Sequence, residues 1–243
     1  MASAQPLPNT VFQSRATEGM TIRALGGSAS TTAAATYTAT ATGIGIKPMD
    51  SSLCLAMVVN SKASAPDIPT YSGYGLTWTQ LRTTNYFTLA SPTCRLTVFF
   101  AKSNSGANTN AGVASFAGVN QTGCITRVVE VPFADMHGSN ATNALVQIVH
   151  GGNNANTNAV ATLAALIGAR NLAIAFVGGS LNSANMAVES GWTKESDQNY
   201  NTPATEGTVA YQLKSTDTSV LLTNAASMSW ACVAIEVRQE GTP

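Results

Sequence analysis

The chain has 243 residues, enough to bury a sizeable core in one large β-sandwich or two small domains. Only 10% of its residues are charged, and 12 Lys and Arg balance 12 Asp and Glu. That excludes a net field steering it toward nucleic acid or an anionic membrane, and no run approaches the roughly 18 apolar residues of a membrane helix. The polar surface must come from Thr, Ser, Asn and Gln, a neutral coat that packs readily against neighbouring subunits.

Residues 1–14 carry Pro6 and Pro8, which hold the backbone extended and deny it helix, with Val11 and Phe12 as apolar anchors. The stretch lacks the basic leader and apolar run of a signal peptide, so first folding in a cytoplasm is expected. Residues 1–22 are read as an extended arm that contacts a neighbour through Pro6, Pro8, Val11 and Phe12. Residues 23–243 are read as a single β-sandwich domain. Within it, runs rich in β-branched and aromatic residues recur at 35–40, 53–59, 76–81, 95–101, 125–131, 145–149, 172–177, 208–213, 220–223 and 230–237. The last alternates at period two. Ala231, Val233, Ile235 and Val237 share one face, and Cys232, Ala234 and Glu236 share the other, which is expected to be wet or half-wet. Residues 103–111 and 151–158 read as loops, and 159–169 as a short helix or a further strand.

The chain echoes itself. Residues 53–59 (LCLAMVV) are answered by 172–177 (LAIAFV), and Gly75 to Trp78-Thr79 by Gly191-Trp192-Thr193. The run 96–100 ending in Ala101-Lys102-Ser103 is answered by 209–213 ending in Lys214-Ser215, and Val129-Glu130-Val131 by Ile235-Glu236-Val237. Matches kept in one order at a near-constant spacing predict two related halves, about 53–135 and 172–239. Each half has too few strands to bury a sheet face alone, so the halves are expected to pair within one sandwich. Leu55, Val98, Phe100, Val129, Ile174, Phe176, Val233 and Ile235 are expected in its core.

An apolar strand, a Gly-Trp-Thr turn, a strand ending near Lys-Ser and a closing Glu-Val strand together resemble a jelly-roll family. It is found among bacteriophage virion proteins and some bacterial surface proteins, and the likeness runs from about residue 53 to 237. The resemblance implies a jelly-roll-like β-sandwich without catalytic function. It also implies a virion location, with a capsid decoration, cement or head-associated role in which the chain, as a homo-oligomer, docks onto capsid or other virion proteins. The alternative it implies is a tail-fibre or receptor-binding module recognising surface glycans. Residues 1–52 have no counterpart in the repeat.

Candidate chemistry is sparse. Cys54, Cys94, Cys124 and Cys232 form no Cys-x-x-Cys pair, so no metal is expected; Cys94 shares strand parity with Leu96, Val98 and Phe100, as a buried thiol would. A disulfide is left open. Asp135-Met136-His137 lacks a Gly-x-Ser-x-Gly elbow and reads as a loop. Glu130 and Glu236 invite comparison with a glycosidase carboxylate pair, but their equivalent positions point to a repeated structural role, such as pairing with Arg127 or Arg238. Asp197-Gln198-Asn199 reads as a turn, and the lack of a Gly-rich phosphate loop implies no cofactor. Between residues 71 and 78, Tyr71 and Tyr74 are expected exposed, as glycan or partner contacts, while Trp78 and Trp192 are expected in the core.

Overall fold

The computed structural model describes residues 20–87, 93–181, 186–213 and 218–241. The arm contacts Pro6, Pro8, Val11 and Phe12 lie outside them. β1 (Arg23–Ser30), β2 (Thr36–Ala41), β3 (Leu53–Ser61), β4 (Thr70–Ser72), β5 (Thr79–Tyr86), β6 (Cys94–Lys102), β7 (Gly112–Ser115) and β8 (Gly123–Val131) form one antiparallel sheet, ordered β4-β7-β2-β1-β8-β3-β6-β5. β9 (Leu145–Thr162), β10 (Leu172–Gly179), β11 (Ala187–Val188), β12 (Thr193–Asn201), β13 (Ala204–Leu213) and β14 (Ser219–Val237) form the other, ordered β11-β14-β10-β13-β12 with β9 also on β14. A 3-10 turn at Ser139–Ala144 is the helical piece among the described residues. The fold is an all-β sandwich.

The two sheets are the two halves of the repeat. The order β8-β3-β6-β5 in the first is β14-β10-β13-β12 in the second. Register makes the correspondence residue by residue. Leu55 faces Phe100 and Val129, as Ile174 faces Tyr211 and Ile235. Even a β-bulge repeats, between Gln80 and Arg82 on β5 and between Lys194 and Ser196 on β12. The pairing also corrects the expectation that residues 1–52 have no counterpart. β1 lies on β8 as the first part of β9 lies on the last part of β14. Likewise β2 and β4 flank β7 as the end of β9 and β11 flank the start of β14. The second half fuses into two long bent strands what the first half makes from four, so residues 151–158, expected as a loop, continue β9. The stretch 159–169 is strand to Thr162 and irregular beyond it.

Strand parity then sorts the core. Leu53, Leu55, Met57 and Val59 on β3, Leu96, Val98 and Phe100 on β6, and Val129 on β8 face the other sheet. They meet Leu172, Ile174 and Phe176 on β10 and Val233 and Ile235 on β14, so all eight expected core residues lie in this shared layer. The opposite parity is buried too. In the first half β2, β4 and β7 curl over Cys54, Ala56, Val58, Phe99 and Val128 with Tyr37, Tyr71, Ala114 and Phe116. In the second, Ala159, Ala161, Val220, Leu222, Trp192 and Trp230 cover Ala173, Ala175, Val177, Cys232 and Ala234. The expected wet face of residues 231–237 is therefore buried, because β14 bends back and covers it with its own first half. Each half covers its own outer face; only the inner faces need each other. Trp192 is core as expected, and Trp78 is half-buried against the first outer layer.

Two tyrosines tie the halves. Tyr86 closes β5 and packs against Gly178 of β10, where a Cβ would lie 2.6 Å from its hydroxyl. At the same position of β12, Tyr200 packs against Gly123 of β8 and shares a 2.7 Å hydrogen bond with Ser61.

Candidate functional site

The repeated glutamates are buried latches. Glu130 is fully buried. It accepts hydrogen bonds from Arg23 Nε (2.7 Å), the Met49 backbone N–H (2.5 Å) and Ser52 Oγ (2.5 Å). Glu236, equally buried, accepts them from Gln147 Nε2 (2.6 Å), the Ile167 N–H (2.8 Å) and Asn171 Nδ2 (2.5 Å). Arg23 and Gln147 occupy matching places, each paired with its glutamate across the ladder, and Ser52 and Asn171 each precede the first residue of β3 and β10. The repeated role is as expected; the partners are not. Arg127 instead crosses to the other half, where its Nε donates to Glu195 Oε2 at 2.9 Å and its Nη2 to Oε1. Both side chains are nearly buried at that seam. Arg238 engages Ala144 and Asp135 through its backbone.

The remaining candidates take structural places. Asp135 Oδ1 accepts the backbone N–H of His137 at 3.1 Å rather than its ring, and the His137 side chain is exposed. Asp197 lies within β12, not in a turn, and its carboxylate accepts from Lys194 Nζ and Thr208 Oγ1. All four cysteines are buried and free; burial raises the thiol of Cys94 to about 11 and that of Cys232 to about 12. No group of three or more potential metal ligands occurs among the described residues. Tyr71 and Tyr74, expected exposed, are buried. Positive φ at Gly73, Tyr74 and Gly75 turns this segment inward, and side-chain-free glycines receive the rings, Gly112 beneath the Tyr71 hydroxyl and Gly26 beneath that of Tyr74. Tyr71 also packs edge-on to Trp78 with ring centres 4.9 Å apart, and desolvation raises both phenols, Tyr74 to about 12.

The latches present a surface. β1 starts, and β8 and β14 end, at one end of the sandwich, where Ala134 bridges Gln239 and the Asp135 N–H donates to the Arg238 carbonyl. The described chain also enters there, at buried Met20. Of the seven large apolar side chains exposed among the described residues, five lie toward this end: Ile44, Met49, Ile148, Ile167 and Leu213. Met49 (45% exposed) and Ile167 (65% exposed) are the two residues whose backbones the buried glutamates clamp. Each half thus holds an apolar side chain out to solvent on a loop fixed from below.

Toward the opposite end, a cleft of about 400 Å³ opens between the halves, lined by Thr84, Asn85 and Tyr86 of β5, His150, Gly151 and Gly152 of β9, and Trp230 of β14. Arg82 Nη2 lies 2.5 Å from His150 Nε2 at its flank. The matching seam, where β12 meets β1 and β8, carries the Arg127–Glu195 pair instead. The echo of Asn85-Tyr86 in Asn199-Tyr200 is a usable sequence signal for these paired seams, whereas the Asn- and Gly-rich composition of residues 151–158 gives no sign of the β9 wall. No family model matches the chain, and neither does any curated protein or solved structure.

Proposed function

We propose that this chain is a structural protein of a bacteriophage particle, a capsid decoration, cement or head-associated protein that docks on capsid subunits through the end bearing Met49 and Ile167. The observation carrying this reading is the gathering of exposed apolar side chains at one end, two of them on loops fixed by buried carboxylates. Singly scattered apolar residues are ordinary on a surface, but a rigidly held group is the form of a contact surface. The near-absence of net charge and the family resemblance agree with packing against like neighbours. The described chain enters the body at the same end, at Met20, so an extended segment leading to it can add to a sheet edge of the same partner, with Val11 and Phe12 as its anchors.

The test is co-sedimentation with particles lacking the protein. Met49→Asp with Ile167→Asp, and separately deletion of residues 1–14, should each leave a folded body and weaken binding by about tenfold or more, the effect of losing buried apolar anchors. Undiminished binding by both variants would remove this surface from the function. A second reading, a tail-fibre or receptor-binding module recognising glycans, is favoured by the cleft between β5 and β9, not by Tyr71 and Tyr74.

A further inference from the structure

We infer that the cleft between β5 and β9 receives the carboxylate of an acidic sugar in a surface polysaccharide. This rests on the glycan-recognition reading and names its ligand class. Arg82 of β5 stands at the flank of this cleft, beside His150. Among the described residues it has no carboxylate partner, and its buried Nε donates to none of them. The matching seam shows the alternative, since there Arg127 is neutralised by Glu195. Arg82 meets His150, whose Nε2 accepts from the guanidinium and so leaves the hydrogen on Nδ1. An uncompensated guanidinium beside a recess is a site for a planar anion, which it binds through two parallel hydrogen bonds.

The rest of the lining suits a sugar. Asn85 and His150 are exposed and Thr84 half-exposed, so an amide, an imidazole and a hydroxyl can meet ring hydroxyls. Gly151 and Gly152 add no side chain to the wall, and a Cβ on Gly151 would meet the Val160 carbonyl at 2.4 Å and the Trp230 ring at 3.2 Å. The volume falls within the roughly 300–1,000 Å³ of small-ligand sites. Position agrees as well. Tyr86 pairs with Cys94, the first residue of β6, and Trp230 with Gly179, the last of β10, which puts the cleft toward the end opposite the apolar one. A body docked by its apolar end would turn this cleft outward.

The experiment titrates the full chain calorimetrically with tetramers of galacturonic and glucuronic acid and with sialyllactose, each beside its carboxyl-reduced counterpart, and with sodium acetate. At least one acidic probe should bind, its reduced counterpart at least about tenfold more weakly, as loss of a charge-assisted hydrogen-bond pair predicts. Arg82→Gln should weaken binding comparably. So should Asn85→Asp, which places a negative charge at an exposed rim position and should leave the melting temperature unchanged. Equal binding of acidic and reduced probes would overturn the carboxylate while keeping the glycan reading. Binding of acetate as tight as that of any sugar would overturn the sugar. Failure of every probe, or binding untouched by both variants, would overturn the site.

Discussion

Glu130 and Glu236 carry carboxylates into positions closed to water, and each is held there by three hydrogen-bond donors. Removing either by Glu→Ala strands those donors and should cost about 2–4 kcal/mol in urea unfolding, the scale of breaking a buried charged set. Glu130→Gln should cost more than Glu236→Gln, because a cation, Arg23, pairs with Glu130, whereas the described donors to Glu236 are uncharged. A larger loss at Glu236 would show that the two latches work differently. The thiols make a second case. Cysteine ordinarily ionises near 9.0, and desolvation raises all four here. With the folded values raised, their contribution to stability is complete below about pH 9 and lost as pH climbs through 11 and 12. Native protein should therefore resist iodoacetamide at pH 8, and its melting temperature should fall between pH 9 and 12. Rapid native alkylation of Cys94 would contradict its burial. The equivalence of the glutamates was legible from Val-Glu-Val and Ile-Glu-Val, but their donors were not, since two are backbone groups on irregular loops. The burial of Tyr71 and Tyr74 is not legible in the sequence, because it depends on Gly112 and Gly26, distant along the chain.

At the scale of elements, the strands read correctly were those with apolar residues on both parities, such as β3 and β10, which are covered on both sides. β1 (RALGGSAS) and β12 (TKESDQNY with a final Asn) carry no strand signal in the sequence, because their side chains are small or polar and their ladders are fixed by neighbours. The Arg127–Glu195 pair joins β8 of one half to β12 of the other, in a nearly buried seam. Arg127→Met should cost about 3–5 kcal/mol by leaving Glu195 unpaired, and adding Glu195→Leu should recover much of that loss. A double variant no more stable than the single one would mean that Glu195 finds another donor. Gly178→Ala is a steric probe of the opposite seam: its Cβ would meet the Tyr86 hydroxyl at 2.6 Å. It should destabilise by about 1–3 kcal/mol, the usual cost of overpacking, read from the urea midpoint.

For the whole molecule, the shared layer between the sheets draws on both halves, so neither half keeps its inner face dry alone. Thermal unfolding should be a single transition with equal calorimetric and van't Hoff enthalpies, and two separated transitions would show halves that stand independently. The repeat made this pairing legible from the sequence. It did not reveal that each half also roofs its own outer face, because that depends on where β9 and β14 bend. The direct test of the functional account is cryo-electron microscopy of a phage particle proposed to carry this protein. The account predicts density for the sandwich on the particle, with Met49, Ile167 and the start of β1 against capsid subunits and the β5–β9 cleft facing outward. A particle without this density, or a sandwich seated by its cleft end, would contradict it.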